Sequence, residues 1–277
     1  MAASLCVDRL AALASGRNPR QSVPVRITRR RAIAAGASAA SLIGAMTWLG
    51  WPWIDNARGT RYVTAVGNAR NITLKDGSAI ALNTATELFI HYTSSARNLQ
   101  LAHGEAFFTV VRDVSRPFAI RIGKWTVRSL ASAFGIRVRS ADITQITVTQ
   151  GVVDIRPTTS SERRATRWLS EKQEATIDTS EVLDVRAISD EDIHRRFAWR
   201  AGMIFFDGQP LYEAVDEVNR YSRRRLVLDD SELAERRVVG VFRTSDTEAF
   251  LSTLHDSLGV QAIATDNVVL LRSRATP

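Results

Sequence analysis

With 277 residues, 45% of them hydrophobic, the chain is long enough for more than one apolar core. Its net charge of +8 invites a nucleic-acid reading, but residues 1–31 hold seven Arg against Asp8, which leaves only +2 for the other 246 residues, so no direct nucleic-acid partner is expected. The single cysteine, Cys6, excludes a disulfide or thiol nucleophile from everything after it, and His91, His103, His194 and His255 lack metal-ligand spacing, so neither metal nor cofactor is expected.

Residues 1–31 form a short basic segment, followed by 23 residues, 32–54, without a charge. At 1.5 Å per residue such a run crosses a hydrocarbon core of about 30 Å. Arg29, Arg30 and Arg31 fix its near side as cytoplasmic, and Trp48, Trp51 and Trp53 suit the far headgroup belt. The sequence around the arginines also resembles a twin-arginine export signal, with Ala32 where a large apolar residue is usual. The expectation is an uncleaved, single-pass anchor in the inner (cytoplasmic) membrane, N-terminus inside, C-terminus in the periplasm.

From residue 62 to 155 apolar residues alternate with polar ones in short runs, which predicts an all-β region. Ile72 and Leu74 lead into Asp76-Gly77 and return through Ile80 and Leu82, a hairpin. Leu99 and Leu101, then Ala106, Phe108 and Val110, then Phe118, Ile120 and Ile122 mark further strands, with Gly104 expected at a tight turn and Pro117 at a strand start. Glu105 is tied by no motif to an acid, base or nucleophile, and no catalytic role is expected for it.

The runs Leu74-Lys75-Asp76-Gly77-Ser78, Leu82-Asn83, Arg97 with Leu99 and Leu101, Gly104-Glu105-Ala106-Phe107-Phe108, and Arg116-Pro117-Phe118 resemble the periplasmic domain of the FecR family. That resemblance implies an all-β FecR-like domain over residues 59–186. It also implies an inner-membrane regulator of sigma factors in iron-siderophore signalling. Leu130-Ala131-Ser132-Ala133-Phe134 stands where the family typically has Leu-Gly-Thr-x-Phe, whose Gly-Thr bond some relatives cleave themselves. Ser132 keeps the hydroxyl nucleophile, but Ala131 lacks glycine's freedom at positive φ. Plain packing, with Leu130 and Phe134 in the core, is the competing expectation.

Residues 157–167 read as a polar loop and 168–185 as the last strands of this domain. Leu169-Ser170-Glu171-Lys172-Gln173 lacks the glycine of the corresponding family turn. Ser189 is placed to cap a helix with Asp190 and Glu191 in its first turn. Beyond Gly202 strands and helices alternate: 203–206 extended, 210–221 helical with Leu211, Val215 and Val218 inward, 226–228 and 238–242 extended. A capping box Ser245-x-x-Glu248 opens a second helix that stops at Gly259, and strands at 260–264 and 268–271 follow. The two halves read as a repeated β-α-β.

Trp199, Gly202, Phe205, Pro210-Leu211, Asn219-Arg220-Tyr221 and Val239-Gly240 resemble the C-terminal end of FecR proteins. That end is similar to the small signalling domain of TonB-dependent transducers, so residues 199–272 are expected to dock rather than catalyse. Arg220, Arg223, Arg224, Arg225, Arg236 and Arg237 are the candidate docking cations, against the plainer reading of a solvated basic face.

The combined expectation is mainly β with α+β: one transmembrane helix, an all-β FecR-type periplasmic domain and a small repeated β-α-β domain. The chain is expected not to be an enzyme. Residues 1–31 are expected to meet a cytoplasmic sigma factor and residues 199–272 the signalling domain of an outer-membrane TonB-dependent transducer. The N-terminal segment is shorter than the family's usual Trp-containing one. The alternative is a membrane-anchored periplasmic binding or scaffold protein without sigma-factor contact.

Overall fold

A computed structural model describes residues 59–140, 143–158 and 166–274. The basic segment, Arg29 to Arg31 and the expected membrane span lie outside the described residues, among which no helix is long and apolar enough to cross a membrane.

Eleven strands form one sheet: β1 (Thr60–Val63), β2 (Arg70–Thr73), β3 (Ala79–Leu82), β4 (Glu87–Tyr92), β5 (Arg97–Thr109), β6 (Phe118–Ile122), β7 (Trp125–Val138), β8 (Thr144–Pro157), β9 (Arg167–Ser170), β10 (Gln173–Ile177) and β11 (Val182–Ala187). The β2–β3 hairpin closes at Asp76-Gly77, with Gly77 at φ +83° and the Leu74 N–H bonded to the Ser78 carbonyl at 2.8 Å. Inward residues of the long strands, among them Leu99, Leu101, Phe108, Phe134, Ile136, Ile146 and Val148, are at most 1% exposed and share one core.

Gly104 is not in a turn between two strands. It bends β5 in its middle: residues before it pair with β4 and β6, residues after it with β3 and β7. At φ +91° its α-carbon lies so close to Thr86 that a Cβ would sit 2.3 Å from the threonine Oγ1. The bend changes partners without ending the strand.

The stretch 169–173 likewise does not make a hairpin. β9 and β10 both run antiparallel to β8, one along Val152 to Ile155 and the other along Thr144 to Val148. Lys172 stands at the break with φ +60°, the left-handed conformation that the family's glycine would supply. Its backbone is held on both sides, the N–H by the Val148 carbonyl and the carbonyl by the Ile188 N–H, each at 2.9 Å.

The C-terminal part begins with α1 (Asp190–Arg196), capped by Ser189, whose hydroxyl accepts from the Asp192 N–H at 3.0 Å. After a 3-10 turn (Ala198–Ala201) come β12 (Met203–Pro210), α2 (Leu211–Asn219), β13 (Arg225–Leu228), a short α3 (Ser231–Ala234), β14 (Arg237–Arg243), α4 (Thr247–Leu258), β15 (Val260–Ala264) and β16 (Val268–Ser273). The cap of α4 is Asp246, one residue beyond the expected Ser245: its carboxylate accepts from the Ala249 N–H at 3.0 Å. Pro210 ends the strand, and the helix starts at Leu211.

Each half leaves a two-stranded sheet (β12–β14), passes through its helix and enters a three-stranded sheet ordered β13-β16-β15. The repeat is therefore real in chain order, but each unit straddles two sheets. Leu211, Val215, Val218, Phe250 and Leu254 face a second core, separate from the first and shared with Phe206 and Phe242.

Candidate functional site

The second core reaches across into the β sheet. Ala81, Phe107 and Gly135 are directly paired neighbours on β3, β5 and β7, and they make an outward row of small, large and absent side chains. Phe197 fills the gap. Its ring meets Phe107 edge-on, centroids 4.8 Å apart, and lies where a Cβ on Gly135 would be only 2.3 Å from Cε1. Arg200 lies over the Phe107 ring, its guanidinium carbon 4.0 Å from the centroid.

The next row of the same sheet face is charged. Glu105 stands opposite Arg137 in the strand register, and the C-terminal part links the two through a ladder of alternating sign. Arg137 Nη2 donates to Glu217 Oε2 at 2.6 Å; Glu217 Oε1 accepts from Arg220 Nη1 at 2.6 Å; Arg220 Nη2 donates to Glu105 Oε2 at 2.5 Å. Asn83 Nδ2 closes it, donating to Glu105 Oε2 and to the Tyr221 hydroxyl, both at 2.9 Å. The Thr84 hydroxyl donates to the Arg220 carbonyl at 2.9 Å. Glu105 is only 2% exposed and Arg220 20%, so these pairs act in a largely desolvated setting.

Burial alone raises the pKa of Glu217, but Arg220 and Arg137 outweigh it and hold the carboxyl below its ordinary value. Burial lowers and Glu217 and Glu105 raise the Arg220 pKa, with a net upward shift. Burial likewise raises the Tyr221 pKa, so the phenol stays protonated. The depressed Glu217 carboxyl contributes stability that is fully present above its ordinary value of 4.5 and is lost as pH falls through the folded-state value. Unfolding midpoints followed by circular dichroism are therefore expected to drop below about pH 4.5, and less steeply in Glu217→Gln, which has no proton to take up there.

A second fastening lies beside the first. Glu174, 1% exposed, accepts from Thr147 at 2.8 Å and is paired at 2.9 Å with both Arg186 and Arg196. Arg196 is the last residue of α1, so that helix is tied to the β sheet by its end. Gly135→Ala puts a methyl into the Phe197 ring and is expected to cost about 1–3 kcal/mol in urea unfolding; Phe197→Ala in the same chain should recover part of that loss.

The structure separates the candidate docking cations. Arg220 turns inward and belongs to the ladder, so it is not free to meet a partner: the basic run begins at a residue that the fold already uses. Arg223, Arg224 and Arg225 are exposed at the start of β13, and Arg236 and Arg237 at the start of β14, in the other sheet. Arg236 and Arg237 each donate to a backbone carbonyl, of Leu258 at 2.8 Å and Gly208 at 2.6 Å.

Ala131 and Ser132 lie in a bulged stretch of β7 opposite Gly151. Ala131 does not take a positive φ, and the Ser132 hydroxyl is bonded to that of Ser129 at 2.5 Å, its one side-chain hydrogen bond among the described residues. Leu130 is 36% exposed rather than core, because the bulge turns it outward, whereas Phe134 is fully buried. Nothing in this geometry activates the bond. Among the described residues no group of three His, Cys, Asp or Glu is placed to hold a metal ion.

Sequence reasoning missed Glu217, Arg137, Arg196, Glu174 and Phe197 as parts of a site. One signal was present for the sheet side: Phe107 directly followed by Phe108 puts large rings on both faces of one strand, so both faces must be covered.

Residues 60–154 match the sequence profile of the FecR protein family. The fold resembles two crystal structures, at 1.65 Å and 2.50 Å resolution, of a candidate anti-sigma factor from Parabacteroides distasonis. Both superpose with a TM-score of 0.62 at 21% identity, over 78% of this chain and 100% or 99% of the other. No curated protein matches the chain.

Proposed function

Because residues 60–154 match the FecR protein family, we propose that this chain is an inner-membrane regulator carrying a periplasmic signal to a cytoplasmic sigma factor. In this reading residues 32–54 cross the membrane once, Arg29, Arg30 and Arg31 hold the N-terminus inside, and residues 1–31 meet an extracytoplasmic-function sigma factor. The part after residue 199 docks the signalling domain of an outer-membrane TonB-dependent transducer, and the output is transcription of iron-uptake genes. The chain works by docking and release rather than by catalysis.

The observation that carries this reading is the ladder. Asn83 and Glu105 lie within the FecR match, and Arg220 and Tyr221 lie in the docking part, yet they share one largely buried network. A partner that strains or orders the C-terminal part therefore acts on the FecR sheet directly. The test is co-purification of the full chain with a transducer signalling domain, paired with a sigma-dependent reporter in cells. Recovery of the complex and a reporter response lost on deletion of the gene support the reading; no complex and an unchanged reporter sink it.

A further inference from the structure

β14 has only one strand neighbour, β12, so its other edge presents backbone N–H and C=O groups to no strand among the described residues. Its outward side chains, at alternate positions, are Arg237, Val239, Val241 and Arg243. Val239 is 70% exposed, the most exposed large apolar side chain among the described residues, and Val241 is 51% exposed. The β12 half of this face is treated differently: His194 of α1 packs edge-on against Phe205, centroids 5.6 Å apart, and Arg195 pairs with Asp207 at 2.5 Å. The bare apolar pair is confined to β14.

The charges on that strand say what fits it. Arg237 and Arg243 have no carboxylate partner among the described residues, and they bracket the two valines symmetrically about Gly240. A second copy pairing antiparallel about Gly240 would set Arg237 against the copy's Arg243 at both ends, and in-register parallel pairing would set each Arg against itself. Like charges directly opposite are destabilising. Residues 1–31, with seven Arg and one Asp, have the wrong sign as well.

We infer that β14 is an edge for strand addition, whose occupant is an extended segment of another protein with two alternate apolar residues between carboxylates, in the order acidic, any, apolar, any, apolar, any, acidic. Backbone bonds supply the pairing, the valines are covered by the apolar pair, and the arginines select the acidic ends. This inference rests on the docking role proposed above and names the chemistry of that partner.

The probe is a labelled, capped peptide, Glu-Thr-Val-Thr-Val-Thr-Glu, titrated with the full chain by fluorescence anisotropy. It should bind saturably and at least about tenfold tighter than the same peptide with Lys at both ends. Val241→Lys should weaken it about tenfold or more without moving the thermal midpoint. The double change Arg237→Glu with Arg243→Glu should reverse the preference toward the Lys-ended peptide. Absence of saturation, equal affinity for the two peptides, or a dimer that Val241→Lys dissolves each overturns the inference, the last by making a second copy the occupant. A transducer signalling domain that still binds the Val241→Lys chain also overturns it, while leaving the docking role standing. If the unaltered chain binds no signalling domain, that role fails, and the peptide titration still decides the edge.

Discussion

Arg220→Ala is expected to lower the unfolding free energy by about 3 kcal/mol, toward the lower end of what breaking a buried ion pair costs because the guanidinium is partly exposed. The loss comes less from the attraction removed than from what is left behind. Glu105, 2% exposed, would retain only the Asn83 amide, and Glu217 only Arg137. A carboxylate stripped of its counter-charge in that setting costs more than the pair was worth. The double variant Arg220→Met with Glu105→Gln should therefore recover most of the stability, since the stranded charge is gone and the arginine stem is replaced by a chain of similar reach. Urea titrations followed by circular dichroism read both. The single variant should also broaden the transition, as the two cores lose one of the fastenings they share. A loss below about 1 kcal/mol, typical of a surface pair, would show that the ladder does not hold the parts together.

Arg97→Ala is expected to cost about 3–5 kcal/mol, the full range for such a loss, because Arg97 is entirely buried. Its Nη1 donates to Asp76 Oδ2 at 2.7 Å and to the Val111 carbonyl at 2.9 Å, and its Nε donates to the Arg116 carbonyl at 2.7 Å. Its guanidinium carbon sits 5.6 Å from the Phe118 ring centroid. One side chain thus satisfies the Asp76 turn and two loop carbonyls at once. Burial raises the Asp76 pKa, but Arg97 and Ser78 hold it below the ordinary value, so the alanine variant should also lose the acid-side dependence that Asp76 contributes. Lys cannot reproduce the three-way fork, and Arg97→Lys should recover under half of the loss in the same titration. Full stability of Arg97→Lys would mean that charge alone, not the fork, matters.

The sequence motifs were legible as a set before their purpose was. Asp76, Arg97 and the Arg116-Pro117-Phe118 run are far apart in the chain, and no spacing rule joins them; the fold brings them into one cluster. The same holds for Asn83, Glu105, Arg220 and Tyr221. Alternation placed the inward residues of the β strands correctly because period two is fixed by the pleat. It could not distinguish a turn at Gly104 from a bend within β5, since both need a glycine at positive φ. Nor could it show that 169–173 is a break between collinear strands, because that depends on β8 accepting both neighbours. The inward role of Arg220 is illegible for a related reason: a run of arginines has no visible partner in sequence when its carboxylates lie 115 positions away and on the neighbouring helical turn. The bare edge of β14 was hidden too, because Val239 and Val241 read like any half-buried strand until its missing neighbour was seen.

A partner docked on the C-terminal part should be felt in the β sheet through the charged ladder. Hydrogen exchange of the full chain, with and without a transducer signalling domain, tests it most directly. Protection is expected along β14 together with a changed exchange rate at residues 104–107 and 135–138, and the second effect but not the first should be lost in Arg220→Ala. Protection at β14 with no change in those two segments of the unaltered chain would contradict it.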